Sequence, residues 1–132
     1  MRLSLRVLVI AVLAALPLAA CDNYSADIDA VRQARTLFDD RTNDELAREI
    51  AGARGKVAWS ADRPEKYKDN EFIVGVDATI DKTTRAGAQR QVVLHFIRNR
   101  QNQQIALDGL AIDGRPQDLI GGALNLLLMQ LE

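Results

Sequence analysis

Between Phe72 and Ile80 every second residue is apolar: Phe72, Val74, Val76, Ala78 and Ile80, with Asp77 and Thr79 on the opposite parity. A period of two held this long predicts an extended strand with one face against a core. One strand is not stable alone, so its neighbours must supply partners. Residues 91–98 are apolar on both parities, with Val92, Leu94 and Phe96 on one and Val93 and Ile97 on the other. That suits a central strand, or one that faces a partner on its second side. Val57 and Trp59 mark a short strand before these two, and residues 105–112 a run after them. Asp108-Gly109 inside that run reads as a two-residue hairpin turn or as a bulge in one longer strand. Three residues on either side make a very short hairpin, which favours the bulge.

Helical spacing flanks this sheet. Ser25 is placed to N-cap a helix whose apolar side carries Ile28, Val31, Ala34, Leu37 and Phe38. Asp27 and Asp29 suit the positive end of its dipole. Thr42-Asn43-Asp44-Glu45 reads as a capping box opening a second helix, with Leu46 and Ile50 buried and Gly52 ending it. After Asp113-Gly114, Pro116 fits the first turn of a last helix. Its apolar face would hold Leu119, Ile120, Ala123, Leu124, Leu127, Leu128 and Leu131, while Leu126 and Met129 widen that face beyond what one sheet needs. The expected fold is α+β: two N-terminal helices, a small antiparallel sheet of three or four strands, and a C-terminal helix packed on the sheet. Two helices followed by long antiparallel strands are similar to the nuclear-transport-factor-like cone fold, a family of small pocket domains. That family closes on a strand, where this chain has the helical run 117–131.

The first 20 residues are of a different kind. Arg2 and Arg6 precede 14 residues, 7–20, that are all apolar or proline. A charged start, an apolar run and small residues before a cut describe an export signal. The run is short of the roughly 20 residues a membrane-spanning helix needs. Leu18-Ala19-Ala20-Cys21 resembles the lipobox of bacterial lipoproteins. The resemblance implies cleavage before Cys21 and lipidation of its sulfur, with palmitate-like acyl chains holding the protein to a membrane. Two or three chains anchor stably where one is marginal, at about 0.8 kcal/mol per buried methylene. Asp22 resembles the signal that keeps enterobacterial lipoproteins at the inner membrane, which favours the inner over the outer membrane. The implied organisation is a signal peptide (1–20), a lipidated tether (21–26) and one α+β domain (27–132) facing the periplasm from the cell envelope. The tether reaches roughly 20 Å at full extension.

Charge and chemistry narrow the function. The 17 basic and 18 acidic side chains give no basic excess, so no nucleic-acid partner is indicated. Loss of Arg2 and Arg6 with the signal leaves the mature chain mildly acidic. The single cysteine cannot close an internal disulfide. His95 is the one histidine; a triad with Ser60 and an aspartate lacks the glycines that position a nucleophilic serine. Asp77 and Asp81 would lie about 13 Å apart along a strand, too far for a glycosidase pair. Asp39, Asp40, Asp44 and Glu45 lack the glycine-centred loop of a calcium site and read as capping groups. No catalytic set, metal site or cofactor is expected. Lys82, Arg85 and Arg90 surround one hairpin loop and Arg98 and Arg100 the next, at opposite ends of the sheet, where they guard strand edges; a modest contact of one loop with anionic lipid is the other use for them.

The second sheet face remains. If helices cover one side only, Ile73, Val93 and Ile97 with His95 form an exposed apolar patch of the kind that marks a partner site. Leu126 and Met129 pose the same question on the last helix. The expected role is a lipid-anchored binding or assembly module without catalytic activity. It would engage a protein partner, or itself as a homodimer, through that sheet face or the last helix. The alternatives are a binder of a small apolar ligand or envelope component, with a pocket between sheet and helices, and a small hydrolase using His95.

Overall fold

A computed structural model describes residues 23–130. Cys21, Asp22 and the signal lie outside the described residues, as does Leu131. The described elements run α1 (Ser25–Gln33), α2 (Asn43–Ala51), β1 (Lys56–Asp62), a 3-10 turn at Glu65–Tyr67, β2 (Ile73–Thr83), β3 (Gln89–Asn99), β4 (Ile105–Ile112), β5 (Arg115–Gln117) and α3 (Leu119–Gln130). The fold is α+β, with one antiparallel sheet in the order β1-β2-β3-β4-β5. No described helix is long and apolar enough to cross a membrane.

The alternating residues of β2 form the floor of the core. Val74, Val76, Ala78 and Ile80 are fully buried, with Val92, Leu94 and Phe96 of β3 and Leu110 and Ile112 of β4 on the same face. Val31 of α1, Leu46, Ala47 and Ile50 of α2, and Leu126 and Met129 of α3 close over them. All three described helices therefore lie on one side of the sheet, and the core forms between the two layers. Phe72, expected at the head of the alternating run, sits outside β2 and is partly exposed.

Several local expectations hold. Thr42 and Glu45 form the reciprocal capping box at α2, and Gly52 ends that helix at a φ of 72°. At Asp108 the β3–β4 register shifts, so the run is one bulged strand. Others need correction. Tyr24 occupies the N-cap of α1, and Ser25 is the first helical residue, its N–H held by the Asn23 side chain at 2.9 Å. α1 stops at Gln33 because Ala34 turns extended and Asn43 satisfies the last turn, donating to the Val31 and Ala34 carbonyls at 2.9 and 2.8 Å. Leu37 and Phe38 consequently leave the helix and stand at the tip of a loop, Leu37 73% exposed. The two-residue hairpin lies at Asp113-Gly114, both at positive φ, and pairs β4 with a short fifth strand. Pro116 belongs to that edge strand, where a missing N–H is tolerated, and not to the last helix.

Candidate functional site

On the face away from the helices, residues of consecutive strands stand in a row. The register sets Ser60 opposite Asp77, Asp77 opposite His95, and His95 opposite Gly109. Asp77 and His95 form a half-exposed pair, Oδ1 to Nδ1 at 2.8 Å. The carboxylate lies between the serine and the imidazole, so Ser60 is beside Asp77 and not beside the base a triad needs. Gly109 leaves room for the ring, since a Cβ there would lie 3.4 Å from His95 Cδ2. This arrangement is a cross-strand pair of the sort that stabilises a sheet by a few tenths to 1 kcal/mol.

Part of this face is open, with Ser60, Asp81, Gln91 and Ala106 exposed, but one end of it is not. The connection between β1 and β2 folds back over it. Pro64 lies against Gly75, where an added Cβ would sit 2.9 Å from Pro64 Cγ. Further along, the Tyr67 hydroxyl donates to Asp108 Oδ1 at 2.9 Å, and Lys66 reaches the same carboxylate. The bulge thus turns Asp108 into the far mooring for a loop that starts three strands away, at the end of β1. Ile73 is buried, while Val93, His95 and Ile97 are half-buried. As a broad partner surface the sheet face is correspondingly reduced, and Ile73 cannot take part in it.

The last helix is the larger apolar surface. α3 carries no charged residue and touches β4 and β5 through Gly122, Leu126 and Met129. Gly122 sets the approach: a Cβ there would fall 2.1 Å from Leu110 Cδ2. Leu126 and Met129, expected to be surplus, are the buried side, because they follow Gly122 at helical spacing (i+4 and i+7). Ile120, Leu124, Leu127 and Leu128, expected in the core, are the exposed side, with Ile120 87% exposed. A groove of about 250 Å³ joins this side to the 36–38 loop, lined by Phe38, Leu46, Ile50, Ala123, Leu126 and Leu127 among others.

Between that loop and the sheet, the space bounded by Leu37, Phe38, Leu94, Phe96 and Leu107 is only about 30 Å³. That is room for a single water; an open cleft of about 550 Å³ lies between the β4–β5 edge and α3, lined by Arg90, Ile112, Asp113, Arg115, Gln117 and Met129 among others.

The charged groups are engaged in holding the frame. Asp27 is 1% exposed and accepts from Arg98 Nη1 at 2.7 Å, and from Arg100 Nη2 and Nε at 2.7 and 3.1 Å. Burial alone would raise its pKa; hydrogen bonds from Arg100 and Arg98 and their charge outweigh burial and hold it below the ordinary carboxylate value. Arg98 and Arg100, expected to be solvated loop ends, therefore clamp α1 to the β3–β4 turn. Asp44 pairs with Arg32 and Arg48, and the hydrogen bond from Arg41 pulls the Asp39 pKa down to about 2. Among the described residues no group of three or more His, Cys, Asp or Glu is arranged to hold a metal. Comparison with protein-family models, curated proteins and solved structures found no match to this chain.

Proposed function

We propose that the protein is a lipid-anchored binding or assembly module of the bacterial cell envelope, facing the periplasm and working through the outward side of α3. The observation that carries this is the row Ile120, Leu124, Leu127 and Leu128, which puts large apolar side chains in solvent on a helix without a charge. Burying one such side chain is worth about 1.5–3 kcal/mol, so an unoccupied row of four is a persistent driving force for association. The lipobox-like Leu18-Ala19-Ala20-Cys21 supplies the anchor, and the few residues from Cys21 to α1 keep the domain close to the membrane.

In vivo crosslinking tests both halves together. A photoreactive residue placed at Leu127 is expected to give discrete protein adducts in the envelope, and one at Gln91, on the other sheet face, none. In a Cys21→Ser background the protein is expected in the soluble fraction with its adducts reduced. A Leu127 probe that captures nothing would contradict the contact surface, and undiminished membrane association of Cys21→Ser would contradict the anchor.

A further inference from the structure

We infer that β1 pairs with β1 of a second copy of this chain, antiparallel and about a two-fold axis at Trp59, so that the two sheets continue as one. The inference is independent of the α3 surface and starts from the two edges of the sheet, which are built differently. β5 is three residues long with Pro116 at its centre, a short, proline-bearing strand of the kind that resists pairing. β1 is seven residues long and in unbroken register with β2, and from Val57 to Ala61 it holds no proline, glycine or charge.

The backbone fixes which groups this edge offers. The Thr84 N–H donates to the Ala88 carbonyl and the Arg100 N–H to the Phe72 carbonyl, both at 2.9 Å, one pair beyond each end of the β2–β3 ladder. Bonded and non-bonded pairs alternate in an antiparallel ladder, so the even-numbered residues of β2 bond β3 and the odd-numbered ones bond β1. Those odd-numbered residues, Gly75, Asp77, Thr79 and Asp81, face Asp62, Ser60, Ala58 and Lys56. The N–H and C=O groups of Val57, Trp59 and Ala61 therefore point out from the edge, and no described residue bonds them.

Laid antiparallel on itself, β1 matches over its whole length in one register. Trp59 meets Trp59 of the second copy, Val57 meets Ala61, Ala58 meets Ser60, and Lys56 meets Asp62. The outward groups of Val57, Trp59 and Ala61 then bond one another, whereas a one-residue slip would set each against a residue already bonded to β2. On the helix side, half-buried apolar side chains meet apolar ones, and at both ends of the seam a lysine meets an aspartate. Aromatic and opposite-charge pairs across strands stabilise this pairing. The Arg32 guanidinium, 5.8 Å from the Trp59 ring, is paired with Asp44 at 2.9 Å and brings no uncompensated charge to the axis.

The test is disulfide formation between full-length chains in intact cells. Co-expressed Ala58→Cys and Ser60→Cys chains should form a mixed disulfide on mild oxidation, because a directly opposed, non-hydrogen-bonded pair lies about 4.5 Å apart at Cα, within disulfide reach. Ala58→Cys alone should crosslink about tenfold less, since diagonal neighbours lie about 7–8 Å apart; the parent chain is the control for Cys21. Lys56→Glu in both chains should cut the yield by about tenfold, because carboxylates would then meet at both ends of the seam. Adding Asp62→Lys should restore it. These four positions are exposed, and each variant should melt within a few degrees of the parent. Absence of the mixed disulfide overturns the inference, including the case in which a strand of a different protein occupies the edge. So does a mixed disulfide that Lys56→Glu leaves undiminished, or one no stronger than Ala58→Cys gives with itself.

Discussion

Asp27→Ala is expected to destabilise the fold by about 3–5 kcal/mol, the cost of breaking a buried ion pair from one side. The carboxylate accepts three bonds from two guanidiniums, and removing it strands both cations where they are largely or partly shielded from water. The melting temperature should fall by more than about 10 °C for a domain of this size. Proton linkage fixes the pH signature. The folded pKa of Asp27 is depressed, so its stabilisation is complete above the unfolded value near 3.9 and fades as pH drops below about 4 through the folded value. Asp39 and Asp113 are lowered as well, by Arg41 and by the Gln91 N–H with Arg90. The parent should therefore lose stability steeply between about pH 4 and 2, and Asp27→Ala less steeply because one of its acid-sensitive groups is gone. Calorimetry across that range measures both. Parallel curves for parent and variant would mean that Asp27 is not ionised in the fold.

Gly122→Val is expected to cost about 1–3 kcal/mol by overpacking, in spite of the roughly 0.3 kcal/mol of helix propensity gained on replacing glycine by valine. Its Cβ would fall 2.1 Å from Leu110 Cδ2 and 3.1 Å from Gln117 Cβ, and Leu110 is buried in the core. The strain is relieved by lifting α3 off β4, so proteases should cut within 119–130 in the variant before they cut the parent. Gly121→Ala is the paired control. Its Cβ would meet only the exposed Asp118 carboxylate, at 2.9 Å, a surface group that accepts the Gly121 N–H and not part of the packed sheet. It should be neutral or slightly stabilising, and equal effects of the two substitutions would show that Gly122 does not set the approach of the helix.

The sheet was legible because its signals are local. Alternation in Val74–Ile80 reports burial directly, and a strand's two faces separate cleanly by parity. Thr42 with Glu45, and Gly52, announce a helix start and stop in the same local way. α3 was legible as a helix but not in its orientation. With Leu, Ile or Met nearly all around and no charge, its sequence has no polar side to mark solvent. Gly122 was the available clue, since a glycine in mid-helix implies close approach, and the side it lies on is the packed one. The Asp27 clamp was beyond reach: Arg98 and Arg100 are more than seventy residues away, and an aspartate in a first helical turn already has a sufficient local reason to be there. Leu37 and Phe38 misled for the opposite reason. Their spacing continues the helical row, but the chain turns at Thr36, whose Oγ1 accepts from the Phe38 and Asp39 N–H groups, and Asn43 of the neighbouring helix takes the Val31 carbonyl at the end of α1.

Whether the outward side of α3 is covered in the envelope can be read directly from thiol reactivity. A maleimide added to intact envelopes should modify a Leu127→Cys variant far more slowly than a Gln91→Cys variant, and the two should react alike once the protein is diluted as a monomer in detergent. Leu127 is 63% exposed in the isolated chain, so shielding in the envelope requires an occupant. Equal modification rates at the two positions in the intact envelope would contradict the assignment of α3 as the contact surface.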